Sequence, residues 1–262
     1  MLRKEKNGIV WYEFEHLSAT GMVNHCFSSR IGGVSKAPYA SMNLAYHMGD
    51  NQADVDENFR LINGVVGFDD QQVVMAKQVH QADIQIVGKG DHAREGVDGL
   101  ITAVVGPVLT TYYADCVPLL FLDPVQKVIA NAHAGWRGTF LNIAGKTVQR
   151  LVDTFDCHAR DILVGIGPCI SMARFEVGPE VVDPFDQLLF QFRSHLERKN
   201  DQKWHIDLAG MNHQLLLEAG VCDAHLEVAN LCTFENAKPF FSHRRDGTAR
   251  GNMAAMIGLR SV

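Results

Sequence analysis

The stretch KVIANAHAGWRGT, Lys127 to Thr139, runs from apolar and β-branched residues into a histidine, two glycines, a tryptophan and an arginine. Its first half, KVIANAH, reads as a buried strand. The residues behind it, TFLNIAGKTVQRLVDTFD (139–156), bring Leu141, Ala144, Val148, Leu151, Val152 and Phe155 to one face at helical spacing, with Thr139 as the expected N-cap. A strand that passes through a glycine turn into an amphipathic helix implies a helix lying on a sheet.

Working outward, eight more runs read as strands: GMVNHCFSS (21–29), QQVVMAKQV (71–79), DIQIVG (83–88), VLTTYYA (108–114), LLFLD (119–123), DILVGIG (161–167), HLEVAN (225–230) and MAAMIGL (253–259). Further helices are expected over 52–65, 179–196 with an interruption at Pro184, and 208–219. About nine strands against four helices indicate mixed α and β structure with sheets covered by helices. No repeat, low-complexity tract or linker divides the chain, so residues 1–262 read as a single domain.

A net charge of −6 provides no positive field for nucleic acid or an anionic membrane, and small molecules are the expected partners. The N-terminal MLRKEKNGIVW has no apolar segment behind its charges, and no eighteen apolar residues run together, which predicts a cytoplasmic protein without a membrane span. Its six cysteines lack any CxxC pair and are expected to be free thiols.

Three residues at strand ends carry metal-binding chemistry: His80 closing MAKQVH, Cys116 after TTYYAD, and His133 closing KVIANAH. Imidazole nitrogen and thiolate sulfur suit tetrahedral zinc, and three protein ligands rather than four leave a position open, as catalytic zinc requires. The alternative is two hydrogen-bonded structural histidines and a small buried thiol. Asp115 leaves the same strand as Cys116 and either orients one of the histidines or caps a turn.

Three arginine-bearing segments have the character of anion sites. In HAGWRGT, Gly135 and Gly138 permit close backbone approach or positive φ, and Arg137 stands before a helix. SSRIGGVS (28–35) sets Arg30 beside a glycine pair, and FFSHRRDGTARG (240–251) gathers His243, Arg244, Arg245 and Arg250, for which solvated surface charge is the simpler account. GIGPCI (165–170) is a further Gly/Pro turn in which Cys169 reads as a packing residue. No spacing matches a Walker loop or a dinucleotide fingerprint.

KQVHQADI, DGLIT, ADCVPLLFLD, AHAGWRGT, GIGPCI followed by FEVG, and CTFENAKPFFSHRRDG occur in that order. Together they resemble the YfiH-like laccase-domain family, known as polyphenol oxidases and purine nucleoside phosphorylases. The resemblance implies an α+β fold of four layers, α/β/β/α, with two central mixed sheets, related to cysteine-dependent bacterial toxins. It implies zinc on His80, Cys116 and His133, phosphorolysis of adenosine, inosine and methylthioadenosine, and deamination of adenosine. It also implies a substrate or phosphate contact at Arg30. Ala249 stands where the family usually has glycine.

On this reading Arg30, with Arg137 or Arg245, holds phosphate or ribose, the zinc and Cys116 define the reacting end, and Asp115 shuttles the proton that deamination needs. Three other readings share the same ligands. Two histidines and a cysteine also suit copper and phenol oxidation, although none of the twelve histidines forms the HxH pairs of a multicopper oxidase. A Cys/His pair suits a hydrolase that edits peptidoglycan precursors. A fourth ligand from His25, His47 or His243 would make the ion a structural staple.

Overall fold

The structure, a computed structural model, describes residues 1–68, 73–186 and 192–261. Seven strands form one sheet in the order β1 (Leu2–Lys6), β2 (Ile9–Glu13), β3 (Val23–Ser28), β16 (Met253–Leu259), β8 (Val108–Tyr113), β4 (Val73–Lys77), β6 (Ala93–Glu95). Six form a second, in the order β15 (Leu226–Val228), β11 (Leu163–Ile166), β9 (Val117–Asp123), β10 (Val128–Ala134), β7 (Gly99–Thr102), β5 (Ile84–Ile86). Both are mixed: β4 runs parallel to β6 and β8, β5 to β7, and β11 to β15, against otherwise antiparallel neighbours. A small antiparallel sheet joins β12 (Glu176–Val177), β14 (Lys203–Ile206) and β13 (Leu196–Asn200). The α-helices described are α1 (Glu15–Ala19), α2 (Gln52–Val66), α3 (Trp136–Phe140), α4 (Ile143–Phe155), α5 (Pro179–Asp186), α6 (Leu208–Glu218) and α7 (His243–Asp246).

Strand alternation explains why the two sheets stack with helices outside. On β10, Val128, Ala130, Ala132 and Ala134 join Ile143, Ala144, Val148 and Leu151 of α4 and Leu215 and Leu216 of α6. Ile129, of the opposite parity, packs with Leu120 and Leu122 of β9 against Leu109 and Tyr113 of β8 and Ala255 of β16. The outward residues of the first sheet, Trp11, Cys26, Tyr112 and Met256, meet Val55, Phe59 and Ile62 of α2. Three apolar interfaces between four layers follow, and a leucine or isoleucine buried in one contributes roughly 1.5–3 kcal/mol. Asn131, on the inner face of β10, pins the two sheets by donating to the carbonyls of Leu109 and Ala255 and accepting from Thr111 Oγ1.

All nine expected strands are present, and the fold is the α+β arrangement of mixed sheets that the resemblance implied. All six cysteines are free. Among the described residues no helix is long and apolar enough to cross a membrane. The helix expected over 139–156 divides. Gly135 precedes the short α3, and Asn142, at φ 59°, caps α4 by accepting from the Gly145 amide. Thr139 therefore lies inside α3, where its hydroxyl accepts from Asn212 Nδ2 at 2.9 Å instead of capping. Of the helix expected over 179–196, Pro179–Asp186 is described as α5; residues 187–191 lie outside the described set, and Leu196 already begins β13, because Leu196–Asn200 finds its backbone partners in β14.

Candidate metal centre

His80 and Cys116 lie where the chain crosses from one sheet to the other. His80 follows β4 of the first sheet on the way to β5 of the second, and Cys116 follows β8 of the first and precedes β9 of the second. His133 comes from the inner face of β10. Two crossings at one rim thus deliver ligands to a residue of the adjacent strand face, and the donor atoms of the three lie within 4.8 Å of one another. The rings of His80 and His133 stand edge to face at 4.8 Å between centroids. Among the described residues, no other three His, Cys, Asp or Glu side chains close in this way.

The donor set fits a metal ion. Tetrahedral ligands bonded at roughly 2.0–2.3 Å stand about 3.3–3.6 Å apart, so the widest pair must draw in by about an ångström. His80 is the exposed member of the three, while His133 is buried and held by Asp98. The backbone leaves space for the ion. A Cβ on Gly135 would lie 3.1 Å from the His80 ring, 3.3 Å from Cys116 Sγ and 3.7 Å from the His133 ring. A Cβ on Gly138 would meet the Gln81 carbonyl at 3.0 Å. The glycines of HAGWRG thus serve close approach, since neither has a positive φ.

Asp98, fully buried directly before β7, organises the centre. Its Oδ1 lies 2.8 Å from His133 Nδ1, and its carboxylate accepts the amides of Val79, His80 and Gln81. One side chain therefore turns the His133 imidazole and shapes the loop on which His80 adopts φ 58°. Burial alone would raise the Asp98 carboxyl, but His133 and the loop amides hold it below its usual range. Burial likewise opposes charge on Cys116 and His133. Each overcomes that opposition by facing the other, so the thiol is pushed down and the imidazole up. Sequence reasoning overlooked Asp98, although an acidic residue directly before the apolar strand GLIT signals a buried carboxylate in need of donors.

Asp115 is placed elsewhere. At φ 91° in the crossing turn, its carboxylate accepts Thr233 Oγ1 at 2.6 Å, Ser242 Oγ at 3.0 Å and the Arg244 amide at 2.7 Å. It ties the segment around α7 to the turn that carries Cys116. Of the three arginines expected to contact substrate, none lines the cavity beside the metal ligands. Arg30 donates through Nε and Nη2 to the Ala40 carbonyl and stacks 4.3 Å over Phe241. Arg137 is exposed and stacks on Trp136. Arg245 commits its guanidinium to the Asp246 carboxylate and the carbonyls of Thr233, Phe234 and Phe240.

That cavity, about 470 Å³, is lined by His80, Cys116 and His133 together with His47, Tyr112, Arg250 and Asn252, among others. Of the candidate fourth ligands, His25 is buried elsewhere and accepts the Phe14 amide at 2.8 Å, and His243 stands 3.3 Å from Arg250. Only His47 shares the cavity with the trio.

Comparison with known proteins agrees with this architecture. A protein-family profile described as multi-copper polyphenol oxidoreductase laccase matches residues 24–260. The chain is 38% identical over 250 residues to the purine nucleoside phosphorylase YlmD of Geobacillus stearothermophilus, covering 89% of each chain. It is 39% identical over 248 residues to a purine nucleoside phosphorylase of Deinococcus radiodurans, covering 90% of this chain and 89% of the relative. The crystal structure of the Bacillus licheniformis hypothetical protein YfiH superposes with a TM-score of 0.91 at 31% identity, over 98% of this chain and 99% of the other.

Proposed function

This chain belongs to the YfiH-like laccase-domain family, and from that premise we propose that it is a zinc-dependent purine nucleoside phosphorylase. Its substrates are adenosine, inosine and methylthioadenosine, which it converts with phosphate to the free base and ribose 1-phosphate, and it also deaminates adenosine. The observation that carries the reading is the cluster of His80, Cys116 and His133 opening into one cavity large enough for a small molecule. Relatives named as purine nucleoside phosphorylases support the substrate class.

His80, Cys116 and His133 hold the ion, which when bound supplies Lewis acidity at the reacting end. Asp98 keeps the proton of His133 on Nδ1 and leaves Nε2 free to coordinate. Asp115 and Arg245 act as positioning residues: with their bonds committed to Thr233, Ser242 and Asp246, they fix the segment that leads to Arg250. The expected contacts of Arg30 and Arg137 with substrate are assigned the same supporting role, through Ala40 and Trp136.

The test replaces Cys116 by Ala and follows hypoxanthine and ribose 1-phosphate release from inosine, alongside metal analysis of the purified protein. The variant is expected to lose both metal and turnover; wild-type turnover in Cys116→Ala removes the assigned centre. Copper-dependent phenol oxidation is the second reading, favoured by the family description itself. A blue absorption band with oxygen uptake on a phenol, in copper-loaded protein, would reverse the order.

A further inference from the structure

The cavity wall contains a cation that the protein does not neutralise. Of its two permanently charged cations, Lys77 is paired with Glu95, which also lines the cavity. Arg250 is different. Its Nη1 donates to Asn252 Oδ1 and, at 3.3 Å, to the Gly251 carbonyl, and its Nη2 stands 3.3 Å from His243 Nδ1, while its buried Nε has no partner among the described residues. The groups whose negative field it feels are engaged elsewhere, Asp115 and Asp246 by other donors and Cys116 by the two histidines of the ligand cluster. A half-buried guanidinium with no carboxylate of its own is costly to maintain unless an anion approaches it from the cavity.

The wall around it is built to hold still. The Asn252 amide donates to Asn43 Oδ1 and the Leu44 amide to the Asn252 carbonyl, so the segment carrying Arg250 is stitched to the loop carrying His47. That loop is closed in turn by Asn43 Nδ2 on Asp50 Oδ2 at 3.0 Å. His47 lies edge-on to Tyr112, and burial followed by the charge of Arg250 keeps its imidazole below its usual range, as a neutral neighbour able to share a proton with an anion.

We propose that Arg250, flanked by His47, is the phosphate-binding residue of the cavity, facing the ligand cluster across the space the nucleoside occupies. The assignment rests on the phosphorylase reading for the identity of the anion. In the reaction a phosphate oxygen bonds to C1′ while the bond from C1′ to the purine nitrogen breaks. The electron pair leaves with the purine, and the proton of hydrogen phosphate ends on that base, so no other reactant is consumed.

The experiment compares wild type, Arg250→Gln and Arg250→Lys, using inorganic phosphate as the probe. Phosphate KM in inosine cleavage is expected to rise roughly ten- to a hundredfold in Arg250→Gln and less in Arg250→Lys, with inosine KM and metal content unchanged. Unchanged phosphate KM in both variants overturns the assignment, as does a parallel loss of phosphate and inosine affinity. Calorimetric titration of phosphate separates this idea from the reading beneath it. Wild type that binds phosphate through Arg250 but cleaves no nucleoside removes the phosphorylase and keeps the subsite. Wild type that cleaves inosine while Arg250→Gln and Arg250→Lys both bind phosphate normally removes the subsite alone.

Discussion

Asp98 and His133 are joined twice: the carboxylate Oδ1 lies 2.8 Å from the imidazole Nδ1, and the His133 amide donates to the Asp98 carbonyl at 2.7 Å. The second bond fixes the strand and the first fixes the ring. Replacing Asp98 by Asn keeps the shape and removes the charge that draws the proton to Nδ1. Zinc affinity, measured by competition with a chromogenic chelator, is expected to fall roughly 10–100-fold, and inosine turnover with it. Wild-type affinity in Asp98→Asn would show that the carboxylate serves only the His80 loop.

Gly135 makes a sharper test of the shared ion. Its φ of −71° suits alanine, so Gly135→Ala is not strained as backbone. The added methyl would instead stand 3.1 Å from the His80 ring and 3.3 Å from Cys116 Sγ, inside the space the three donors surround. Metal content of purified Gly135→Ala is expected to drop sharply while its far-ultraviolet circular dichroism stays that of wild type. Full metal occupancy with unchanged affinity would mean that the ligands converge elsewhere.

The sequence displayed the strands of the two central sheets where they are apolar on both faces, as in Val117–Asp123 and Val128–Ala134, because burial on both sides leaves no polar alternation to confuse. It hid the hairpin of β1 and β2, whose first strand LRKEK is charged and mostly exposed. The signal there was the turn, Asn7–Gly8, with φ of 54° and 77°, as a two-residue hairpin of the primed type requires. The ligands were legible as His and Cys at strand ends. The arginines were not, since HRRDGTAR states how many guanidinium groups are nearby but not which already face Asp246 or the carbonyls of Thr233, Phe234 and Phe240. Asp98 was obscured because its partners, the amides of Val79, His80 and Gln81 and the His133 ring, are brought to it only by the stacking of the sheets.

Asn131 is expected to matter for stability more than its size suggests. It is fully buried, donates to the carbonyls of Leu109 and Ala255 at 2.9 and 2.8 Å, and accepts from Thr111 at 2.6 Å. Asn131→Ala leaves those groups between the sheets without water, at a cost of about 2–4 kcal/mol in urea denaturation. A loss below about 0.5 kcal/mol, the range of surface substitutions, would mean that the sheets are held by their apolar contacts alone.

His25 sets a pH limit on the fold. The side chain is buried, its Nε2 accepts the Phe14 amide at 2.8 Å, and its ring lies parallel to Phe14 at 6.1 Å. Burial brings its pKa down to about 4, assisted by His16 and opposed by Glu13 and Glu227. In the unfolded chain the same group titrates near 6.5, so between the two values the unfolded state binds the proton and the native state does not. Stability therefore rises with pH across that window and is lost as pH falls from about 6.5 to 4, by roughly 3 kcal/mol in all. Protonation also sets an N–H against the Phe14 amide, donor against donor. The substitution His25→Gln keeps an acceptor oxygen at this position but removes the titration. Urea midpoints measured between about pH 7 and pH 4 are expected to fall more steeply for wild type than for His25→Gln. Parallel curves would assign the acid sensitivity to the carboxylates instead.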